Sequence, residues 1–203
     1  MGVPLPKGVK AVWDLDKAYH ETTPNRERVS INGLWRWQPT DPKLAQVPDD
    51  RWGYFKVPGC WPGITDYMQK DSQTVHRHPG WQDENLATVA AAWYQRKITI
   101  PASWTGRRIA LTIETLNSYA AVYVDGNRLG EIRYPAGELS LTAACRPGKT
   151  HVLSLLVVAM PLRGVMLSYN DSNSAREITR IGSAAGPVWR RFAACNAGWR
   201  SPG

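Results

Sequence analysis

Two hundred and three residues suffice for one domain with a real core and are too few for two full ones. Hydrophobic residues at 43% and charged residues at 21% exclude wholesale disorder. The formal charge of +8 comes from basic residues that stand in pairs at most, as at Arg107–Arg108 and Arg190–Arg191, so it carries no nucleic-acid signature. No run of about eighteen apolar residues occurs and Met1 to Lys10 holds no apolar signal core, so no membrane partner is expected. As written the chain reads as cytoplasmic, or as periplasmic or secreted if the true start lies upstream. Cys60, Cys145 and Cys195 are too scattered for a disulfide framework or a tetrahedral metal site and read as free thiols. No cofactor motif is present.

In chain order, residues 1–29 are polar with scattered anchors at Trp13, Leu15 and Tyr19, and are expected to form a strap over the core rather than a sheet strand. Asn32-Gly33 makes a turn, and the strand after it puts Trp35 and Trp37 on one face. Residues Pro39 to Asp50 read as a loop or a single helical turn. A short strand, Trp52 to Val57, ends in Pro58-Gly59-Cys60-Trp61-Pro62-Gly63, a compact turn. The stretch from Ile64 to Ala92 has little periodicity and reads as a long loop, of the kind that tends to be functional. His76 and His78 lack a third ligand at short spacing, so no metal site is expected there.

From Trp93 onward the pattern is a series of alternating strands. Trp93 to Ile100 closes at Pro101; Ile109, Leu111 and Ile113 share a face; Ala120, Val122 and Val124 repeat it. Asp125-Gly126 is the dipeptide that tolerates positive φ at both centres of a tight turn, so the chain should double back into Arg128 to Ile132. Leu139 and Leu141 alternate with polar neighbours. Val152 to Ala159 is apolar on both faces, as suits a strand buried between layers. The expected core is Ile98, Ile109, Leu111, Ile113, Val122, Val124, Leu139, Leu141, Leu153, Leu155 and Val157. Ser168 to Gly186 is rich in Asn, Asp, Ser and Gly and should be irregular.

Several pieces in fixed order resemble the N-terminal domain of family 2 glycoside hydrolases, the group of β-galactosidases, β-glucuronidases and β-mannosidases. They are Asn32-Gly33-Leu34-Trp35 with Trp37, Val57-Pro58-Gly59-Cys60-Trp61, Trp93-Tyr94-Gln95-Arg96-Lys97, Ile100-Pro101 with Trp104-Thr105-Gly106-Arg107-Arg108, Val122-Tyr123-Val124-Asp125-Gly126, Leu129-Gly130 and Arg146-Pro147-Gly148. The resemblance implies an all-β fold, a galactose-binding-like jelly-roll β-sandwich over residues 30–167, in agreement with the strand series. Trp93 and Tyr94 would then fill the space between the sheets. A weaker match at Arg180-Ile181-Gly182 and Gly186-Pro187-Val188-Trp189 implies that residues 168–203 are a loop, the start of an interdomain strand and an irregular, poorly packed tail. In the family a second sandwich and a (β/α)₈ barrel with both catalytic carboxylates follow; none of that is recognisable here, and the chain reads as truncated.

Retaining glycoside hydrolysis needs two carboxyl groups about 5–5.5 Å apart, one protonated and one ionised. None of the 17 acidic residues sits in a recognisable catalytic frame, so no catalytic residue is assigned. The expected function is that of a non-catalytic, sugar-binding or accessory domain of a family 2 glycoside hydrolase, partnered by a β-glycoside carbohydrate together with the missing C-terminal domains. The alternative is a free-standing carbohydrate-binding module. Trp61, Trp81 and Asn85 are the substrate-binding candidates of that alternative. Asp171 and Glu177 are the candidates that the resemblance implies, since in the family the corresponding region reaches toward the barrel.

Overall fold

A computed structural model describes residues 3–43, 46–59, 61, 75–86, 89–116 and 119–159, with the backbone alone of 192–198. Two antiparallel sheets pack face to face. The larger has seven strands in the order β5-β4-β3-β6-β11-β8-β9: Val75–His76 (β5), Gly53–Val57 (β4), Gly33–Pro39 (β3), Ala91–Thr99 (β6), Thr150–Val158 (β11), Tyr119–Val124 (β8) and Asn127–Arg133 (β9). The smaller has five in the order β1-β2-β12-β7-β10: His20–Thr23 (β1), Arg26–Val29 (β2), Phe192–Gly198 (β12), Ala110–Ile113 (β7) and Gly137–Ser140 (β10). The all-β jelly-roll reading holds. No helix among the described residues is long and apolar enough to cross a membrane.

The alternating phase of the sequence sets the interior. Ile98, Ile109, Leu111, Ile113, Val122, Val124, Leu141, Leu153, Leu155 and Val157 are buried in one cluster fed by both sheets, and Leu139 packs half-buried against it. Trp35 and Trp37 share the inward face of β3 while Arg36 between them is exposed, as the period of two requires. The Asp125-Gly126 turn takes φ of 49° and 82° and joins β8 to β9, the hairpin geometry that favours these two residues. A register shift at Val122/Tyr123 then inserts one extra residue on β9. Between β6 and β8, β11 is buried on both faces, which explains its lack of alternation.

The structure corrects the expectations for the two ends of the chain. Within residues 1–29, β1 and β2 form a hairpin of the smaller sheet; only the part before it is a strap, with Trp13 and Leu15 packed against the core. The Asn32-Gly33 turn therefore carries the chain from one sheet to the other rather than closing a hairpin. In the tail, the backbone of 192–198 is a strand that fills the gap between β2 and β7. Two neighbouring ladders with unpaired backbone groups are completed by it, and that gain does not depend on an alternating side-chain pattern. Trp93 is corrected as well. Tyr94 points into the space between sheets, but Trp93 lies in a second cluster with Trp52, Tyr123 and Leu156, its ring 5.1 Å from that of Tyr123. The loop before β4 supplies Val47 and Trp52 to this cluster.

Glycine at position 53 is set by close approach. A Cβ there would collide with the Trp81 ring and the carbonyl oxygen of His76, so only a residue without one lets β5 and the Trp81 turn lie against β4.

Candidate functional site

Trp61 and Trp81 were expected as sugar contacts, and the structure places both inside. Trp61 is 1% exposed and Trp81 5%. Trp37 is the hub of their packing, with ring centroids 5.5 Å from Trp81, 6.4 Å from Trp61, 5.6 Å from Phe55 and 6.5 Å from Tyr94. Edge-on and tilted contacts at these separations are the preferred geometry of aromatic rings. The polar ends are used too. Trp61 Nε1–H donates to the Tyr94 hydroxyl, and Trp81 Nε1–H donates to the Arg51 carbonyl at 2.8 Å. With both faces covered and the donors spent, neither ring offers a stacking platform, and these two assignments are corrected from surface to core. Asn85 is exposed in the loop between the Pro79–Trp81 turn and β6. Asp171 and Glu177 lie outside the described residues, as does the whole segment from Ser168 to Gly186. The structure thus brings Trp61 and Trp81 together as core and leaves Asn85 apart on the surface.

His76 sits half-buried on β5, and His78 Nδ1 accepts the Gly80 N–H at 2.9 Å. Among the described residues no group of His, Cys, Asp or Glu could hold a metal ion.

The carboxylates of the strands are held by neighbours. Glu27 accepts from Trp104 Nε1 at 2.7 Å and pairs with Arg107 at 3.3 Å. Glu114 pairs with Arg28 at 2.7 Å, and Glu138 with Arg108 at 2.5 Å. Glu131 lies 2.6 Å from Arg133 and 3.0 Å from both Arg128 and the Tyr119 hydroxyl. The Arg133 and Tyr119 hydrogen bonds hold its carboxyl below the usual range. For Asp125, burial pushes upward, but the hydrogen bonds from the Val152 N–H and from His151 outweigh it and leave the carboxyl lowered. These are the shifts of structural carboxylates; a general acid needs the opposite direction. The other described carboxylates are exposed.

Arg96 is the polar residue the sequence reading passed over. It is 6% exposed, on the inward phase of β6 between Tyr94 and Ile98. Its Nη1 donates to the carbonyls of Ile31 (2.5 Å) and Asn32 (2.7 Å), and Nη2 to that of Leu34 (2.7 Å). The guanidinium carbon stands 5.4 Å over the Trp35 ring. Burial, with no carboxylate beside it among the described residues, pushes its pKa down to about 10. The signal that could have found it was its phase: 94, 96 and 98 share a face, so Arg96 had to be inside.

No family model matches the chain. Among curated proteins, β-glucuronidase of Felis catus is 31% identical over 161 residues, covering 77% of this chain and 22% of that protein. That of Canis lupus familiaris is 30% identical over the same shares. The chain therefore spans about a fifth of the length of the curated relatives it matches. Among solved structures, β-glucuronidase of Bifidobacterium dentium, complexed with coumarin-3-O-glucuronide, superposes with a TM-score of 0.59 at 18% identity, over 89% of this chain and 31% of that one. That of Faecalibacterium prausnitzii does so with a TM-score of 0.58 at 19% identity, over 89% and 33%. With homology over 77% of its length and an agreeing fold, the chain resembles the N-terminal sandwich of family 2 glycoside hydrolases, and the relatives it matches are β-glucuronidases.

Proposed function

We propose that this chain acts as the accessory, non-catalytic sandwich of a family 2 glycoside hydrolase, packing against further domains and helping to rim a site for a β-glycoside. The relatives are β-glucuronidases, so a glucuronide is the substrate class this reading favours for the whole assembly. The observation that carries it is the commitment of Glu27, Glu114, Asp125, Glu131 and Glu138 to structural partners. A carboxylate pair able to attack and protonate a glycosidic bond would need one member free of such partners and raised in pKa. The free-standing module finds less support, because Trp61 and Trp81, its natural stacking residues, are core. The test is turnover of nitrophenyl β-glucuronide, β-galactoside and β-mannoside by the purified chain. None should be hydrolysed above background; chain-dependent turnover of any would overturn the reading.

A further inference from the structure

Charge is segregated between the two sheets. β5, β4, β3, β6 and β11 lie side by side in the larger sheet, and their residues include no Asp or Glu. On the outward face of β4, β3 and β6 the ladder registers build one patch. Lys56 on β4 stands directly opposite Leu34 on β3, and Tyr54 opposite Arg36. Arg36 is opposite Gln95 on β6, so Lys97, further along the same face of β6, flanks Leu34 from the other side. Arg36, Lys56 and Lys97 are exposed, while Leu34 and Tyr54 between them are half-buried. Among the described residues no carboxylate pairs with these three cations; Arg36 donates to the neutral Gln95 side chain at 3.0 Å. Around the smaller sheet the opposite holds, with Arg28, Arg107 and Arg108 matched by Glu114, Glu27 and Glu138. Lys56 and Lys97 are two strand spacings apart, about 10 Å, which is about one Debye length in ordinary buffer. Like charges gathered in this way cost stability in the free chain, and a partner of opposite charge turns that cost into attraction.

We propose that the outward face of β4, β3 and β6 docks an acidic protein surface, with carboxylates on Arg36, Lys56 and Lys97 and an apolar side chain over Leu34 and Tyr54. An apolar centre rimmed by charge is the anatomy of a protein–protein patch. A second copy of this chain would bring the same positive face, so face-to-face self-association is opposed. A nucleic acid is less suited, since the ring of the patch, Tyr54, is half-buried and leaves bases no open platform to stack on. The inference rests on the packing part of the proposed function and adds the face and the charge of the partner.

The test titrates the full chain with a labelled glutamate-rich peptide spaced with leucines, followed by fluorescence anisotropy and by the backbone amide signals in NMR. The peptide should bind and shift the amides of Leu34, Lys56 and Lys97, and its affinity should fall by about tenfold or more between about 0.05 M and about 0.5 M salt. Lys56→Gln with Lys97→Gln should weaken it by about tenfold and melt no lower than the parent, because both side chains are exposed and their repulsion is relieved. Arg26→Gln with Lys43→Gln removes the same charge from exposed positions off this face, and should change the affinity by less than about twofold. No binding, equal binding of the peptide with glutamine in place of glutamate, or a control pair that weakens binding as much as the lysine pair would overturn the proposal. So would a double-stranded DNA oligonucleotide binding as tightly as the peptide. Glycoside turnover by the chain would sink the accessory reading and leave this titration untouched, while a failed titration would leave the lack of turnover standing, so the two failures are distinguishable.

Discussion

Asp125 and His151 join the β8–β9 turn to the neighbouring strand: Asp125 Oδ2 lies 2.7 Å from His151 Nδ1, while Oδ1 accepts the Val152 N–H at 2.7 Å. His151 Nε2 accepts the Arg146 N–H at 3.0 Å, so the neutral imidazole carries its proton on Nδ1 and donates it to Asp125. One turn residue thereby fixes a hairpin, a tautomer and the loop leading into β11.

Asp125→Ala should cost about 1–3 kcal/mol, because the buried His151 and the Val152 N–H each lose an acceptor. The acid side of the stability curve gives a second readout. The folded carboxyl lies below its ordinary value, so its contribution is present above the unfolded pKa of about 3.9 and is lost as pH falls through the folded value. Urea unfolding between pH 7 and pH 2 should show a loss in the parent that Asp125→Asn lacks. Matching curves for the two would remove the pair from this role.

Val124 is 2% exposed beside the same turn. Val124→Asp buries an unpaired carboxylate and should destabilise by about 3–5 kcal/mol. A variant that melts like the parent would contradict the inward phase of β8.

Trp61 and Trp81 act through packing. Trp81→Ala and Trp61→Ala should each cost about 3–5 kcal/mol, as large aromatic truncations in a filled core do. A variant that kept parental stability and lost affinity for a saccharide would return its tryptophan to a surface role.

Cys145 is 3% exposed, and burial first, then the charge of Asp125, pushes its thiol up to about 12. A thiolate is the reactive form, so iodoacetamide at pH 8 should leave Cys145 unmodified in the native chain and alkylate it in denaturant. Peptide mapping distinguishes it from Cys60 and Cys195. Rapid native labelling at position 145 would show the site to be open.

The strand series from Trp93 to Ala159 was legible because each strand has one wet face or a diagnostic turn, and period two then fixes the interior. What stayed hidden has three physical sources. Trp61 and Trp81 stand in segments without periodicity, where nothing local tells a packed ring from an exposed one; the Trp37 cluster that covers them is assembled from β3, β4 and β6. Asp125 looked like a turn residue and no more, since His151 approaches it only through the pairing of β11 with β8. The β1–β2 hairpin and β12 were missed because edge and gap-filling strands are held by backbone ladders, which leave little trace in side-chain pattern.

The central proposal, that this chain acts without a catalytic carboxylate pair of its own, is tested most directly by trapping. Retaining hydrolysis proceeds through a covalent glycosyl-enzyme, so a 2-deoxy-2-fluoro-glucuronosyl fluoride would arrest a competent nucleophile as an adduct. Intact-mass spectrometry of the chain after prolonged incubation should show the unmodified mass alone. A stoichiometric adduct on any aspartate or glutamate would contradict the account.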